Sequence, residues 1–168
     1  SKSQKAYISL VKRPIGFIGA LIALIILSPL FLATMILLFF ANKNGFKGIF
    51  FTQDRPGKNE KIFKALKFKT MTDERDAEGN LLPDADRLTR IGKFIRSTSI
   101  DELPQLVNIL KGDMSLVGPR PERPELIEDI LKDIPEYTFR TTVKAGLTGY
   151  AQVHGDYHTD FLEKLRWD

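Results

Sequence analysis

The chain has 168 residues, 43% of them hydrophobic, a net charge of +4, no cysteine and two histidines, His154 and His158. Without cysteine there is no disulfide framework and no thiolate metal site, and two histidines do not make a His-rich zinc site by themselves. Residues 1–60 carry eight Lys/Arg against two Asp/Glu, whereas residues 61–168 carry seventeen against nineteen, so the basic excess is local and argues against a nucleic-acid partner.

Residues 1–13 form a basic, amphipathic approach containing Lys2, Lys5, Lys12 and Arg13. Residues 14–42 then hold no charged side chain. A hydrocarbon core of about 30 Å takes about 20 apolar helical residues, so length alone predicts a transmembrane helix. Ser28-Pro29 at the middle of the run opposes that reading, because proline lacks an N–H and clashes with the preceding turn. Each half is about 14 residues, or about 21 Å, too short to cross alone. Lys and Arg flank both ends, with Lys43 and Lys47 on the far side. Cytoplasmic flanks tend to be basic, so both ends are expected on the cytosolic face, with the segment a re-entrant hairpin broken at Ser28 and Pro29. A Pro-kinked single span is the other reading that membranes tolerate. The Ser28 hydroxyl can serve a carbonyl freed at the break. The stretch is roughly twice a signal-peptide core and no A-x-A site follows, which argues against a cleaved leader. The basic flank suits anionic lipid.

Beyond the apolar run, Gly45 and Gly48 allow a turn into a strand at 49–52. A turn signal at 55–59 and a partly alternating stretch at 61–70 predict a β-hairpin. Residues 72–87 read as a polar surface loop. Ile91, Phe94, Ile95 and Thr98 recur at helical spacing, and a second helix is expected from near Ser99 through Leu110, ended by Gly112. Three prolines and a glycine keep 117–124 irregular. A short amphipathic helix follows at 125–133, Gly146 and Gly149 mark a loop, and 159–167 begins another helix. Internal repeats and low-complexity stretches are absent from the sequence.

Two constellations can do chemistry. In Ser99-Ile100-Asp101-Glu102-Leu103-Pro104, Ser99 and Glu102 fit a capping box and place Asp101 in a first helical turn. That position favours a carboxylate and a bound phosphate, and an ionised aspartate is a competent nucleophile toward phosphorus. A plain acidic cap explains the same six residues, and Pro104 would move the cap toward Asp101. In Gly118-Pro119-Arg120-Pro121, prolines on both sides stiffen the backbone of Arg120, and a fixed guanidinium suits bidentate phosphate recognition. A tight turn with a solvated arginine is the alternative. Arg96, on the preceding helix, joins Asp101 only through a close helix–helix turn. Lys67 and Lys69 on the second strand supply further positive charge or a solvated face. Asp113 reads as a cap or turn residue and His154 as a polar loop residue. His158 has no specific signal, and Phe161 and Trp167 read as core.

The order KFKTM (67–71), DELPQLVNILKGDMSLVGPRP (101–121) and AGLTGYAQVHG (145–155), behind a basic apolar segment with Ser-Pro at its centre, resembles the small monotopic polyprenol-phosphate phosphoglycosyltransferases, or bacterial sugar transferases, over nearly the whole chain. The resemblance implies an α+β, mainly helical fold: a basic N-terminus and re-entrant membrane hairpin over 1–45, and a small cytosolic catalytic domain with a short β-hairpin over 46–168. It implies transfer of a phosphosugar from a nucleoside diphosphate sugar, expected to be a UDP-sugar, to polyprenol phosphate at the bacterial cytoplasmic membrane, with release of UMP. In that pattern Asp101 is the nucleophile and a ligand of Mg²⁺, and Glu102 assists. Arg120, Arg96 and Lys67 hold phosphate oxygens with the Gly118-Pro119 backbone, while Thr148 and Gln152 lie near the nucleotide. A non-catalytic membrane adaptor that binds a nucleotide sugar or an assembly partner is the rival expectation. The resemblance leaves the sugar, the base, the polyprenol length and any oligomeric state open. This chain has His154-Gly155-Asp156 where the family usually has Asn-Gly-Arg. The family also typically continues past the position of Asp168, so a trimmed C-terminus is expected.

Overall fold

The computed structural model describes residues 2–42, 45–154 and 160–167; Lys43, Gly155, Asp156 and His158 lie outside the described residues. The chain begins with helix α1 (Lys2–Tyr7), a π-turn (Ile8–Lys12) and helix α2 (Arg13–Ile26). The turn and α2 run on as a 19-residue helix, Ile8–Ile26, with mean hydropathy 1.8, long and apolar enough to cross a membrane. Helix α3 (Ser28–Ala41) is equally apolar but has 14 residues. Many large side chains of both helices are exposed, among them Ile18, Ile25, Ile26, Leu32 and Phe40.

The break falls at Leu27, next to the Ser-Pro pair. Leu27 has φ −88° and ψ 1°, and Pro29 occupies the first turn of α3. There its missing N–H costs nothing, because first-turn N–H groups have no helical partner. The Ser28 hydroxyl donates to the Ile25 carbonyl at 2.7 Å, so the expected service to a carbonyl at the break is observed. Helix resumes as Phe31 N–H donates to Leu27 O at 2.9 Å.

The chain forms two compact units, one of residues 1–24, 53–65 and 105–168, the other of 25–52 and 66–104. In the first, Ala20, Leu106, Ile109 and Met114 form a core closed by Phe63, Leu116 and Leu147. Helix α6 (Gln105–Lys111) supplies two of these residues. Strands β3 (Ser115–Val117) and β4 (Gly146–Thr148) pair in parallel, Ser115 opposite Gly146 and Val117 opposite Thr148. Sequence pattern does not reveal this pair, because three-residue strands are too short to alternate. Helix α7 (Pro124–Asp133), a 3₁₀ stretch (Pro135–Thr142) and helices α8 (Tyr150–His154) and α9 (Phe161–Trp167) complete the unit.

In the second unit Leu38, Ile49, Phe68 and Ile95 form the core, with Phe31, Met35 and Phe50 packed around them. Phe50 stacks on Phe68 with ring centroids 5.5 Å apart, and Phe31 approaches Phe68 at 4.9 Å. The buried Asn42 donates to Gly48 O at 2.5 Å and Lys69 O at 3.2 Å, tying the end of α3 to the following chain. Strands β1 (Phe50–Pro56) and β2 (Ile62–Phe68) pair as the expected hairpin, which belongs partly to each unit. The polar stretch 72–87 carries a short helix, α4 (Asp84–Arg87), and two isolated bridges, Met71 to Leu88 and Arg75 to Leu81. Helix α5 (Arg90–Ser97) is capped by Thr89, whose hydroxyl accepts from Gly92 N–H at 2.8 Å.

Gly92 lets α5 touch the backbone after β2. A β-carbon there would lie 2.0 Å from Thr70 O, whereas one at Gly16 would meet nothing within 4 Å. Gly92→Ala is therefore expected to destabilise the protein by about 1–3 kcal/mol through overpacking. Gly16→Ala should unfold no earlier than the parent, since alanine is the better helix former. Thermal unfolding of the two variants in one detergent checks the contrast.

Candidate active site

The structure departs from the sequence expectation at Ser99. Helix α6 begins at Gln105, not near Ser99, and Ile100–Glu102 form one 3₁₀ turn. Ser99 stands in the left-handed region, φ 56° and ψ 17°, with no side-chain cap. The capping box therefore does not form. Pro104 is fully buried just before α6, and Leu103 ahead of it keeps helical dihedrals, φ −53° and ψ −38°, so the departure from a helix lies at Ser99 itself. Left-handed backbone costs a non-glycine residue roughly 1–2 kcal/mol, and here it reverses the chain. Ser99 N–H donates to Arg96 O at 3.1 Å and Glu102 N–H to Ser99 O at 3.2 Å. This is the close turn needed to bring Arg96 to Asp101.

Four of the expected residues meet in this unit. Lys67 Nζ lies 3.1 Å from Glu102 Oε1, and both side chains are largely buried, 17% and 16% exposed. Asp101 is half-buried. Burial pushes its carboxyl above the ordinary aspartate range; Lys67 opposes that shift, Glu102 reinforces it, and Arg96 opposes it more weakly. Lys69 instead pairs with Asp73. The result is two adjacent carboxylates, one neutralised by a lysine and the other held partly out of water between cations.

The Gly118-Pro119-Arg120-Pro121 loop belongs to the other unit, and there the backbone is zipped to β4. Gly118 N–H donates to Thr148 O and Gly146 N–H to Pro119 O, both at 2.9 Å. A β-carbon on Gly146 would lie 2.1 Å from Gly118 N, so only glycine permits this approach. Two further guanidinium groups hold the loop by its carbonyls. Arg55 donates to Pro121 O at 2.8 Å, and Arg140 to Arg120 O at 3.4 Å. Arg140 is 8% exposed and also donates to the Tyr137 hydroxyl. Neither arginine was legible as a site residue; the turn at 55–59 and the stretch after α7 carry no motif that marks them. Pro119, Arg120, Tyr137 and Arg140 line an open cleft, with Arg120 exposed. Thr148 and Gln152 are exposed at β4 and α8.

The remaining sequence candidates have structural places. Asp113 accepts from Asn108 Nδ2 at 3.3 Å in the turn after α6. His154 closes α8 against Tyr150, with rings 4.2 Å apart, so it is helical and not a loop residue. Phe161 packs edge-on to Tyr137 at 5.9 Å. Among the described residues no three His, Asp or Glu side chains gather into a metal cage. Asp101 and Glu102 do offer hard carboxylate oxygens, which fit Mg²⁺ shared with substrate phosphates, since that ion is usually held by one or two carboxylates and keeps several waters.

The family model described as bacterial sugar transferase matches residues 7–168. The uncharacterized sugar transferase EpsL of Bacillus subtilis is 53% identical over 71% of this chain and 58% of its own. An Aeromonas hydrophila protein named UDP-N-acetylgalactosamine-undecaprenyl-phosphate N-acetylgalactosaminephosphotransferase is 41% identical over 89% of this chain and 35% of its own. The UDP-glucose:undecaprenyl-phosphate glucose-1-phosphate transferase of Klebsiella pneumoniae is 40% identical, over 92% and 33% respectively. The chain belongs to the bacterial sugar transferase family, and it spans about a third to three-fifths of the length of these relatives.

The Asp101 environment makes two signs testable. Its folded-state carboxyl is raised, so protonation favours the fold, and that contribution is lost as pH rises through the folded value. Asp101→Asn is therefore expected to unfold at higher temperature than the parent at neutral pH, with the difference vanishing below the ordinary aspartate range. Glu102→Gln removes a raising charge and should lower the apparent Asp101 pKa, whereas Lys67→Met should raise it. Carboxyl titration by infrared difference spectroscopy reads both directions.

Proposed function

We propose that the protein transfers a sugar phosphate from a UDP-sugar to polyprenol phosphate, with Asp101 as nucleophile. The observation that carries this reading is the half-buried Asp101, flanked by Glu102 and by Lys67 and Arg96. The printed names of the Aeromonas and Klebsiella relatives give the substrate classes.

In the first step an Asp101 carboxylate oxygen attacks the sugar-bearing phosphorus. The bond from that phosphorus to the bridging oxygen breaks, UMP leaves with the electron pair, and the phosphosugar remains on Asp101 as an acyl phosphate. In the second, an oxygen of polyprenol phosphate attacks the same phosphorus. The acyl–phosphate bond breaks, Asp101 is regenerated as a carboxylate, and polyprenyl diphosphosugar departs. Desolvation strengthens the nucleophile, because a less hydrated carboxylate loses less solvation on reaction. Lys67 and Arg96 face charge that builds on phosphoryl oxygens, and preorganised cations act most strongly there. Glu102, held by Lys67, accepts a proton from the incoming lipid phosphate. Asp101 would hold Mg²⁺, and the ion, when bound, would supply further charge neutralisation. Arg120, fixed by its clamped loop, binds phosphate oxygens in bidentate fashion, and Thr148 and Gln152 contact the nucleotide.

The site works at the cytosolic face of the bacterial membrane, on a segment that dips into one leaflet and returns. The break at Leu27, the Ser28 bond to Ile25 O and the cationic flanks at Lys12, Arg13 and Lys47 support this placement.

Incubation of the full chain with Mg²⁺, polyprenol phosphate and a panel of UDP-sugars should release UMP and, without the acceptor lipid, leave a phosphosugar mass adduct on Asp101. Asp101→Asn should abolish both; undiminished turnover in that variant refutes the nucleophile, and tight UDP-sugar binding with no UMP in the parent indicates an adaptor. Topology is read separately. Single cysteines placed at Ser3 and Lys47 should both react with an impermeant reagent only from the cytosolic side, and labelling from opposite sides establishes a through-span.

A further inference from the structure

A second cationic cluster includes none of the residues given a part in the transfer chemistry. Lys12 and Arg13 at the head of the apolar helix, Lys58 after β1 and Lys144 before β4 converge on one open cleft, which Gly16 and Met114 also line. We propose that this cleft is a headgroup site for an anionic phospholipid of the bilayer, its phosphate among the four cations and an acyl chain along the apolar wall at Gly16.

Part of the cluster has a structural task. Arg13 donates to Ile109 O at 2.5 Å and Leu110 O at 2.8 Å, and Lys144 donates to Gly112 O at 2.5 Å. Cations there satisfy two of the last carbonyls of α6 and that of the glycine after it, and complement the helix dipole. That task leaves donors over, since guanidinium has five N–H groups and ammonium three. It also does not account for Lys58, which crowds Lys144. Burial, then Arg13, then Lys58 push the Lys144 ammonium below the ordinary lysine range, and Asp113 offsets this only in part. A phosphate in the cleft relieves that repulsion.

Position selects the source of the phosphate. The uncharged run starts at Pro14, immediately after Arg13, so the cations stand where chain polarity changes from aqueous to apolar. Headgroups occupy that depth in a bilayer, and basic pockets beside membrane helices hold anionic headgroups. Gly16 is buried, yet a β-carbon there meets nothing within 4 Å, which leaves room for a chain against Met114. The inference rests on the membrane placement of the apolar helix and is independent of the transfer chemistry.

The test uses the full chain in nanodiscs of phosphatidylcholine containing a minor fraction of phosphatidylglycerol, with retained lipid counted by native mass spectrometry. The parent should retain phosphatidylglycerol in preference to phosphatidylcholine. The double variant Lys12→Gln/Lys58→Gln, which spares both cations that cap α6, should lose that preference roughly ten-fold or more. Gly16→Leu should lower retention of either lipid by filling the wall without changing charge. Equal retention of the two lipids by the parent, or undiminished preference in a folded double variant, overturns the proposal. So does displacement of phosphatidylglycerol by excess inorganic phosphate, which marks a free-anion site, or by equimolar polyprenol phosphate, which marks the acceptor's own pocket. UMP release measured on the same samples separates a failed lipid site from a failed transferase.

Discussion

A carboxylate partly withdrawn from water is unstable unless something nearby compensates it, and the second unit is organised around that constraint. Burial raises the Asp101 carboxyl, while Lys67 and Arg96 draw it back. Removing either cation leaves the desolvation in place and lets the carboxyl take up a proton more readily. Lys67 has a second duty. Its bond to Glu102 keeps two neighbouring carboxylates from repelling each other at full strength. One lysine, delivered by a strand, thus acts on both carboxyl groups, opposing the rise at Asp101 and pairing with Glu102.

The backbone accepts strain to make that cluster. Ser99 in the left-handed region is what lets a residue at the end of α5 face a residue in the next turn. A continuous helix from Arg90 to Lys111 would have projected Arg96 and Asp101 about 140° apart around its axis. Strained non-glycine residues persist where the surroundings over-determine them, and they gather at functional sites. Gly92 and the Gly118–Gly146 approach serve the same end by a different route, letting backbones meet where a methyl group would separate them.

Long-range pattern was legible in the sequence and short-range geometry was not. The uncharged run, its interruption at Ser28-Pro29 and the β-hairpin all follow from composition over many residues, where chance is averaged out. The Ser99–Glu102 capping box failed because two local signals competed. The motif asks for a helix at once, whereas the turn that carries Arg96 toward Asp101 needs Ser99 in the left-handed region, and the turn prevailed. Lys67 and Arg96 could be proposed from charge alone, but their convergence on Asp101 depends on a single φ angle. Arg55 and Arg140 left no motif because their partners are backbone carbonyls. Any residue supplies a carbonyl, so the sequence of the loop carries no record of what holds it.

That distinction has a consequence for how the Gly-Pro-Arg-Pro loop works. Prolines restrict φ but leave the loop free to pivot as a body. The zipper to β4 and the two guanidinium clamps remove that freedom, and they do so through main-chain atoms, leaving Arg120 exposed beside the cleft. A bidentate phosphate contact gains most when its guanidinium loses little entropy on binding. Here the backbone under Arg120 is immobilised before any ligand arrives, so the ordering cost falls on folding. Buried Arg140 meets its own desolvation cost through bonds to Tyr137 and to the loop it holds, which makes the rigidity of the loop and the satisfaction of that buried charge the same set of contacts.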